Sequence, residues 1–208
     1  MKRTVFVLVL AACVAGGAFA QSIFSIGGGF MTDLGRTSHI SGRTPVGRFE
    51  ASSYAFGVGG FVFLDATFAE LSIGFIGGST ETEARGGGFR QTDSGTFTAL
   101  NFSLLGKIPA AVGGGNIVMF PLLGVGYTHV LSISDDDDEF DASDYSSFRI
   151  SFGAGFDFGI TERVFFRTSF LGDWRFAPSA ARDVADELGL DASGGFGFAL
   201  NIGLGFRL

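Results

Sequence analysis

The last thirteen residues, 196–208, alternate without interruption between a large apolar side chain and a small or polar one. Successive side chains of a strand point to opposite faces. Phe196, Phe198, Leu200, Ile202, Leu204, Phe206 and Leu208 therefore share one face, while Gly197, Ala199, Asn201, Gly203, Gly205 and Arg207 share the other. A helix would scatter the apolar residues around its whole circumference, so the period of two reads as a strand. The fold then depends on which solvent meets the apolar face.

Seven earlier segments repeat the pattern. Residues 22–33 set Phe24, Ile26 and Phe30 against Ser25, Gly27 and Gly29. Residues 54–64 begin with Tyr54, Phe56 and Val58 outward, and Gly59-Gly60 predicts a bulge that returns Phe61 and Phe63 to the same face. Beyond a turn at Asp65-Ala66, residues 69–75 place Leu71, Ile73 and Phe75 opposite Glu70, Ser72 and Gly74. Residues 96–105 place Leu100, Phe102 and Leu104 opposite Ala99, Asn101 and Ser103. Residues 117–131 are less regular, because Pro121 cannot donate to a ladder, but Val125 and Tyr127 oppose Gly124 and Gly126. Residues 147–160 and 164–176 are regular again, with Arg149, Ser151, Asp157, Arg167, Ser169, Asp173 and Arg175 on their polar faces.

Connections after the second, fourth and sixth strands are short or modest: Asp65-Ala66, 107–116 and 161–163. Those after the first, third, fifth and seventh are long and polar: 34–53, 81–95, 132–146 and 177–195. Eight strands with short turns at one end and long loops at the other predict an antiparallel up-and-down meander. Residues 180–190 have the composition of a short helix in the last long loop.

A soluble sandwich or barrel points its apolar face inward and covers the other with Lys, Glu, Asp and Gln. Here the second face is mostly Gly, Ser, Ala and Asn, in a chain with 26 Phe, 34 Gly and 4 Pro. Small side chains suit the narrow interior of an eight-stranded barrel. The Phe-rich face is therefore expected outward, in lipid, where only helices or closed barrels satisfy every backbone group. The predicted fold class is all-β, a transmembrane up-and-down antiparallel barrel of eight strands.

Residues 1–20 read as a signal peptide, with Lys2 and Arg3, an apolar stretch and the small-x-small site Ala18-Phe-Ala20, leaving a barrel domain at 21–208. Leu10-Ala-Ala-Cys13 alternatively resembles a lipidation box. Cys13 is the only cysteine, so cleavage after Ala20 excludes disulfides and thiolate metal sites. Loss of Lys2 and Arg3 leaves 12 basic against 21 acidic residues, net −9, which argues against a nucleic-acid partner.

The signal peptide, eight alternating strands, short-turn and long-loop asymmetry and amphipathic last strand together resemble the small eight-stranded outer-membrane β-barrels typified by the OmpA transmembrane domain, OmpX and OmpW. The resemblance covers the whole mature chain and implies an outer-membrane location in a diderm bacterium. It also implies that the last strand is an assembly signal read by the barrel assembly machinery. In this chain that signal ends in Phe206 and Leu208, where the family usually ends in an aromatic residue.

The candidate site is the set of inward polar and charged groups: Glu70, Arg149, Asp157, Arg167, Asp173, Arg175, Asn201 and Arg207. Such charges must be paired or hydrated, as a structural salt-bridge plug or as the lining of a thin solute pathway. The acidic run 135–139, with Asp141 and Asp144, reads as a solvated loop tip or as oxygen ligands for calcium, without EF-hand spacing. Arg36, Arg43 and Arg48 make the first loop basic, fit either for solvent or for anionic headgroups. His39 and His129 are the only histidines, and no catalytic triad can be assembled. The expectation is a monomeric barrel without enzymatic activity, cofactor or metal. It is either a narrow channel for small solutes or a surface adhesin or envelope-stabilising barrel, with membrane lipid, and small solutes or host-surface ligands at its loops, as partners.

Overall fold

The computed structural model describes residues 24–45, 47–112, 116–134 and 141–208. Residues 1–20, expected to be a signal peptide, with Cys13 among them, and the acidic run 135–139 lie outside them. Among the described residues nine strands form: β1 (Phe24–Thr44), β2 (Gly47–Ala66), β3 (Ala69–Gly86), β4 (Phe89–Lys107), β5 (Ala110–Val112), β6 (Ile117–Ser134), β7 (Ser147–Gly159), β8 (Val164–Arg175) and β9 (Asp191–Arg207). Each long strand pairs antiparallel with its neighbour, β4 pairs with β6, and β9 pairs back onto β1, so eight strands close a ring. β5 is a three-residue addition that pairs only with the start of β6.

Pro121 fits because of that addition. β4 pairing ends at Leu122 and β5 pairing begins at Met119, so the missing N–H falls where no strand lies opposite on that side. Phe24 and Leu208 meet at the short-turn end, where the Leu208 N–H donates to the Phe24 carbonyl at 3.0 Å.

The outer face is apolar from that end up to Leu34 on β1, Tyr54 on β2, Phe148 on β7, Trp174 on β8 and Phe198 on β9, all exposed. Phe30 is 79% exposed, which water would penalise and hydrocarbon does not. The lumen is filled by side chains, as expected for a ring of this size.

Three sequence expectations are corrected. No bulge occurs at Gly59-Gly60; β2 and β3 keep one register from Phe49↔Gly86 to Ala66↔Ala69. Phe61 and Phe63 therefore point into the lumen, and Val62 and Leu64 take the lipid face. Not every Phe faces outward, because Phe63, Phe120 and Phe165 are inward anchors for charge. Lumen glycines make room for them: a Cβ at Gly27, Gly155 or Gly205 would strike the rings of Phe63, Phe120 and Phe165 respectively.

Second, 34–53 and 81–95 are not long loops. β1 and β2 pair out to Thr44↔Gly47, and β3 and β4 out to Gly86↔Phe89. The second hairpin closes on Gly87 (φ 54°) and Gly88 (φ 86°), the left-handed pair that a type I′ turn requires. The bulges lie instead between Arg36 and Ser38 on β1 and opposite Thr98-Ala99, where β6 carries the additional Leu131. Third, Asp65 and Lys107 belong to strand ends rather than connections, and both are buried.

The wall is consequently uneven. β1 to β4 rise well above the apolar band, whereas β7 and β8 stop at Ser147 and Arg175. Helix α1 (Ser179–Leu188) fills the low side, ended by Gly189 at φ 64° in the left-handed C-terminal cap. Its Ala181 and Ala185 pack with Ile40 and Leu190.

Candidate functional site: the layered lumen

Inward side chains form three layers along the axis. The lowest is centred on Arg167, which is 2% exposed. Its guanidinium donates from Nε and Nη2 to the two oxygens of Asp157, each at 2.6 Å, the fork geometry that makes such pairs strong. Nη2 also reaches Asp65 at 2.6 Å, and Nη1 reaches Glu70 at 2.5 Å. Lys107 Nζ donates to Asp65 at 2.6 Å. The rings of Phe63, Phe120 and Phe165 lie 4.5, 5.0 and 5.1 Å from the guanidinium carbon, so its faces meet π-systems while its edge meets carboxylates.

Above this layer is an apolar collar. Phe61 follows Asp65 and Phe63 up β2, Leu105 follows Lys107 on β4, and Leu171 lies between Arg167 and Asp173 on β8. With Leu122 these residues are buried, and they separate the first charged layer from the second.

The upper layer holds Arg149, Arg175, Asp33 and Asp173. Asp33 takes Arg175 on one oxygen and Arg149 at 3.5 Å on the other. Arg149 also donates to Ser103 at 2.9 Å and to Asn101 and Thr128 at 3.3 Å. Ser151 donates to Asp173 at 2.5 Å, and Arg175 lies 3.9 Å from the same carboxylate. Asn101, Arg149, Asp173 and Asn201 are among the residues around a cavity of about 10 Å³, and each has one buried polar atom without a hydrogen-bond partner. That size and polarity suit one water molecule.

The structure thus brings Glu70, Asp157 and Arg167 together in one layer and Arg149, Asp173 and Arg175 in another, with Asn201 beside the second. Arg207 stands apart at the rim, donating to the Glu162 carbonyl at 3.0 Å and lying 5.4 Å from the Phe165 ring. Phe206 and Leu208 are exposed on the outer face at the same end. Sequence reasoning missed Asp33, Asp65 and Lys107, although strict alternation from inward Gly29, outward Tyr54 and inward Ser103 places each of them inward.

Above Asp33 and Arg175 opens a cavity of about 290 Å³, enclosed by the raised hairpins, the 3-10 turn Ala142–Tyr145 and α1. Ile40, Phe49, Ile76, Phe97, Val130 and Ile133 give it apolar walls, interrupted by the hydroxyls of Thr37, Ser53, Thr80 and Thr128. Asp144 Oδ2 accepts the Asp141 N–H at 3.2 Å, so these two acidic residues cap the 3-10 turn.

No protein-family model and no curated protein matches the sequence. Solved structures do match. A closed antiparallel ring of eight strands with an apolar exterior and a charged, filled interior defines an integral outer-membrane β-barrel of the small type. The chain shares this fold with the outer-membrane protein OprG of Pseudomonas aeruginosa, at 18% identity over 90% of this chain and 96% of that one, with a TM-score of 0.50. The N-terminal barrel of OprF from the same species matches at 14% identity over 89% and 98% (TM-score 0.38), and the translocator domain of the Neisseria meningitidis autotransporter NalP at 11% over 100% and 96% (TM-score 0.30). What the chain shares with OprG is the fold.

Proposed function

We propose that this barrel is closed along its axis and works from its raised end, receiving small, largely apolar molecules in the cavity above Asp33 and Arg175. The observation that carries this reading is the stack of two ion-paired layers and an apolar collar, which occupies the lumen below the cavity. Moving a solute past Arg167 means separating it from Asp157, Asp65 and Glu70 in a site of low dielectric, a cost of about 3–5 kcal/mol for breaking such a cluster. The cavity, by contrast, has the size order and the mixture of apolar walls and few hydroxyls that small-molecule sites share.

The test has two arms on protein refolded into nanodiscs or planar bilayers. Wild-type protein gives no discrete conductance steps, and frequent steps would restore the open-channel reading. Calorimetric titration with small neutral amphiphiles, each blanked against empty nanodiscs, gives saturable binding that Ala55→Trp, which fills the cavity, abolishes. Equal heats from wild type and Ala55→Trp would sink the binding reading.

A further inference from the structure

The outer surface above the apolar band is not evenly polar. On β1 the lipid-facing series Phe30, Leu34 continues into Arg36, which pairs in register with exposed Tyr54. Past the bulge the same face carries His39 and Arg43. Arg43 stands directly opposite Arg48 on β2, and Arg85 on β3 directly opposite Arg90 on β4. Like charges in facing positions destabilise a sheet. Glu50 binds Arg48 at 2.8 Å, and Glu83 binds Arg85 at 2.6 Å and also Arg90. The Arg85 hydrogen bond holds the Glu83 carboxyl below the ordinary carboxylate range, so this bracing survives mild acid. Arg36 and Arg43 have no carboxylate partner among the described residues.

We propose that this arginine face, from Arg36 up to Arg43, Arg48, Arg85 and Arg90, binds the phosphate groups of an anionic glycolipid in the outer leaflet. Guanidinium groups suit phosphate through paired N–H donors. Height selects the lipid class. Arg36 lies at the top edge of the apolar band, whereas Arg43 is seven residues further, roughly 15–20 Å higher at about 3.3 Å per residue on a tilted strand. A phospholipid headgroup zone extends only about 5–8 Å beyond the hydrocarbon. Phosphates at both levels require a headgroup built of phosphorylated sugars.

The experiment compares binding of a bisphosphorylated glycolipid, with one phosphate on the sugar that carries its acyl chains and one on an outer sugar, and its monophosphorylated form lacking the outer phosphate to the refolded full barrel, counted by native mass spectrometry and titrated at two salt concentrations. Wild-type protein retains the bisphosphorylated lipid at least fivefold better, and salt reduces the difference. Arg36→Gln/Arg43→Gln loses that preference, and Arg36→Lys/Arg43→Lys keeps part of it. Arg163→Gln, at the opposite end of the barrel, changes nothing. Each variant must show the wild-type heat-modifiable gel shift, so loss of folding is scored separately. Equal retention of both lipids by wild type, or an unchanged preference in the Gln variant, overturns the proposal. Displacement of the lipid by equimolar inorganic phosphate would assign the site to the free ion and overturn it too.

Discussion

At the scale of single residues, Arg167 organises the barrel interior. Its carboxylate partners come from β2, β3 and β7, so one side chain ties β8 to strands across the lumen. Arg167→Ala leaves Asp65, Glu70 and Asp157 facing Lys107 alone, and the expected loss is about 3–5 kcal/mol. It is measured as a lower temperature for the heat-modifiable gel shift. Arg167→Lys keeps the charge but cannot fork onto Asp157 or stack on three rings, so it recovers only part of the loss. Arg167→Ala/Asp157→Ala should be less damaging than the two single losses added, because the double change removes a pair that is coupled. Strict additivity would mean the cluster is not a unit.

Elements differ in how clearly the sequence announces them. β7 and β9 were legible because lipid outside and small residues inside give the greatest contrast between faces, and the period of two measures that contrast. Above the membrane the contrast fades: residues 36–44 and 77–86 are wetted outside and line a mixed cavity inside, yet backbone pairing continues. The hairpins there consequently look like loops in the sequence. The inward facing of Phe61 and Phe63 is hidden for a different reason, since it depends on Arg167, which lies 104 to 106 residues away in the chain and is joined to β2 through Asp65. The helix in 180–190 was visible in composition, but its seat was not. That seat can be tested. Ala185, 1% exposed between Ile40, Ala181 and Leu190, cannot accept a charge there without desolvation. Ala185→Asp should free α1, making residues 176–190 sensitive to limited proteolysis while the gel shift of the barrel stays intact. Wild-type resistance in that variant would show that α1 is held by something other than its alanine face.

On the scale of the whole molecule, the lumen is a series of obstacles, and conduction through a series is governed by whichever obstacle remains. Arg167→Ala opens the lower layer but leaves the collar and the upper ion pairs. Arg175→Ala loosens Asp33 and leaves everything beneath. Neither single variant should conduct more than the wild type. Phe61→Ala/Arg167→Ala/Arg175→Ala removes material from all three levels, and the charges left behind set its selectivity. Asp65, Glu70 and Asp157 then outnumber Lys107 below, and Asp33 and Asp173 outnumber Arg149 above. The triple variant should show small openings whose reversal potential in a KCl gradient lies on the cation side. If Arg167→Ala alone opens as widely as the triple variant, the collar and upper layer are not barriers. If the triple variant fails to refold, Phe61→Leu/Arg167→Gln/Arg175→Gln retains more packing and asks the same question with smaller openings.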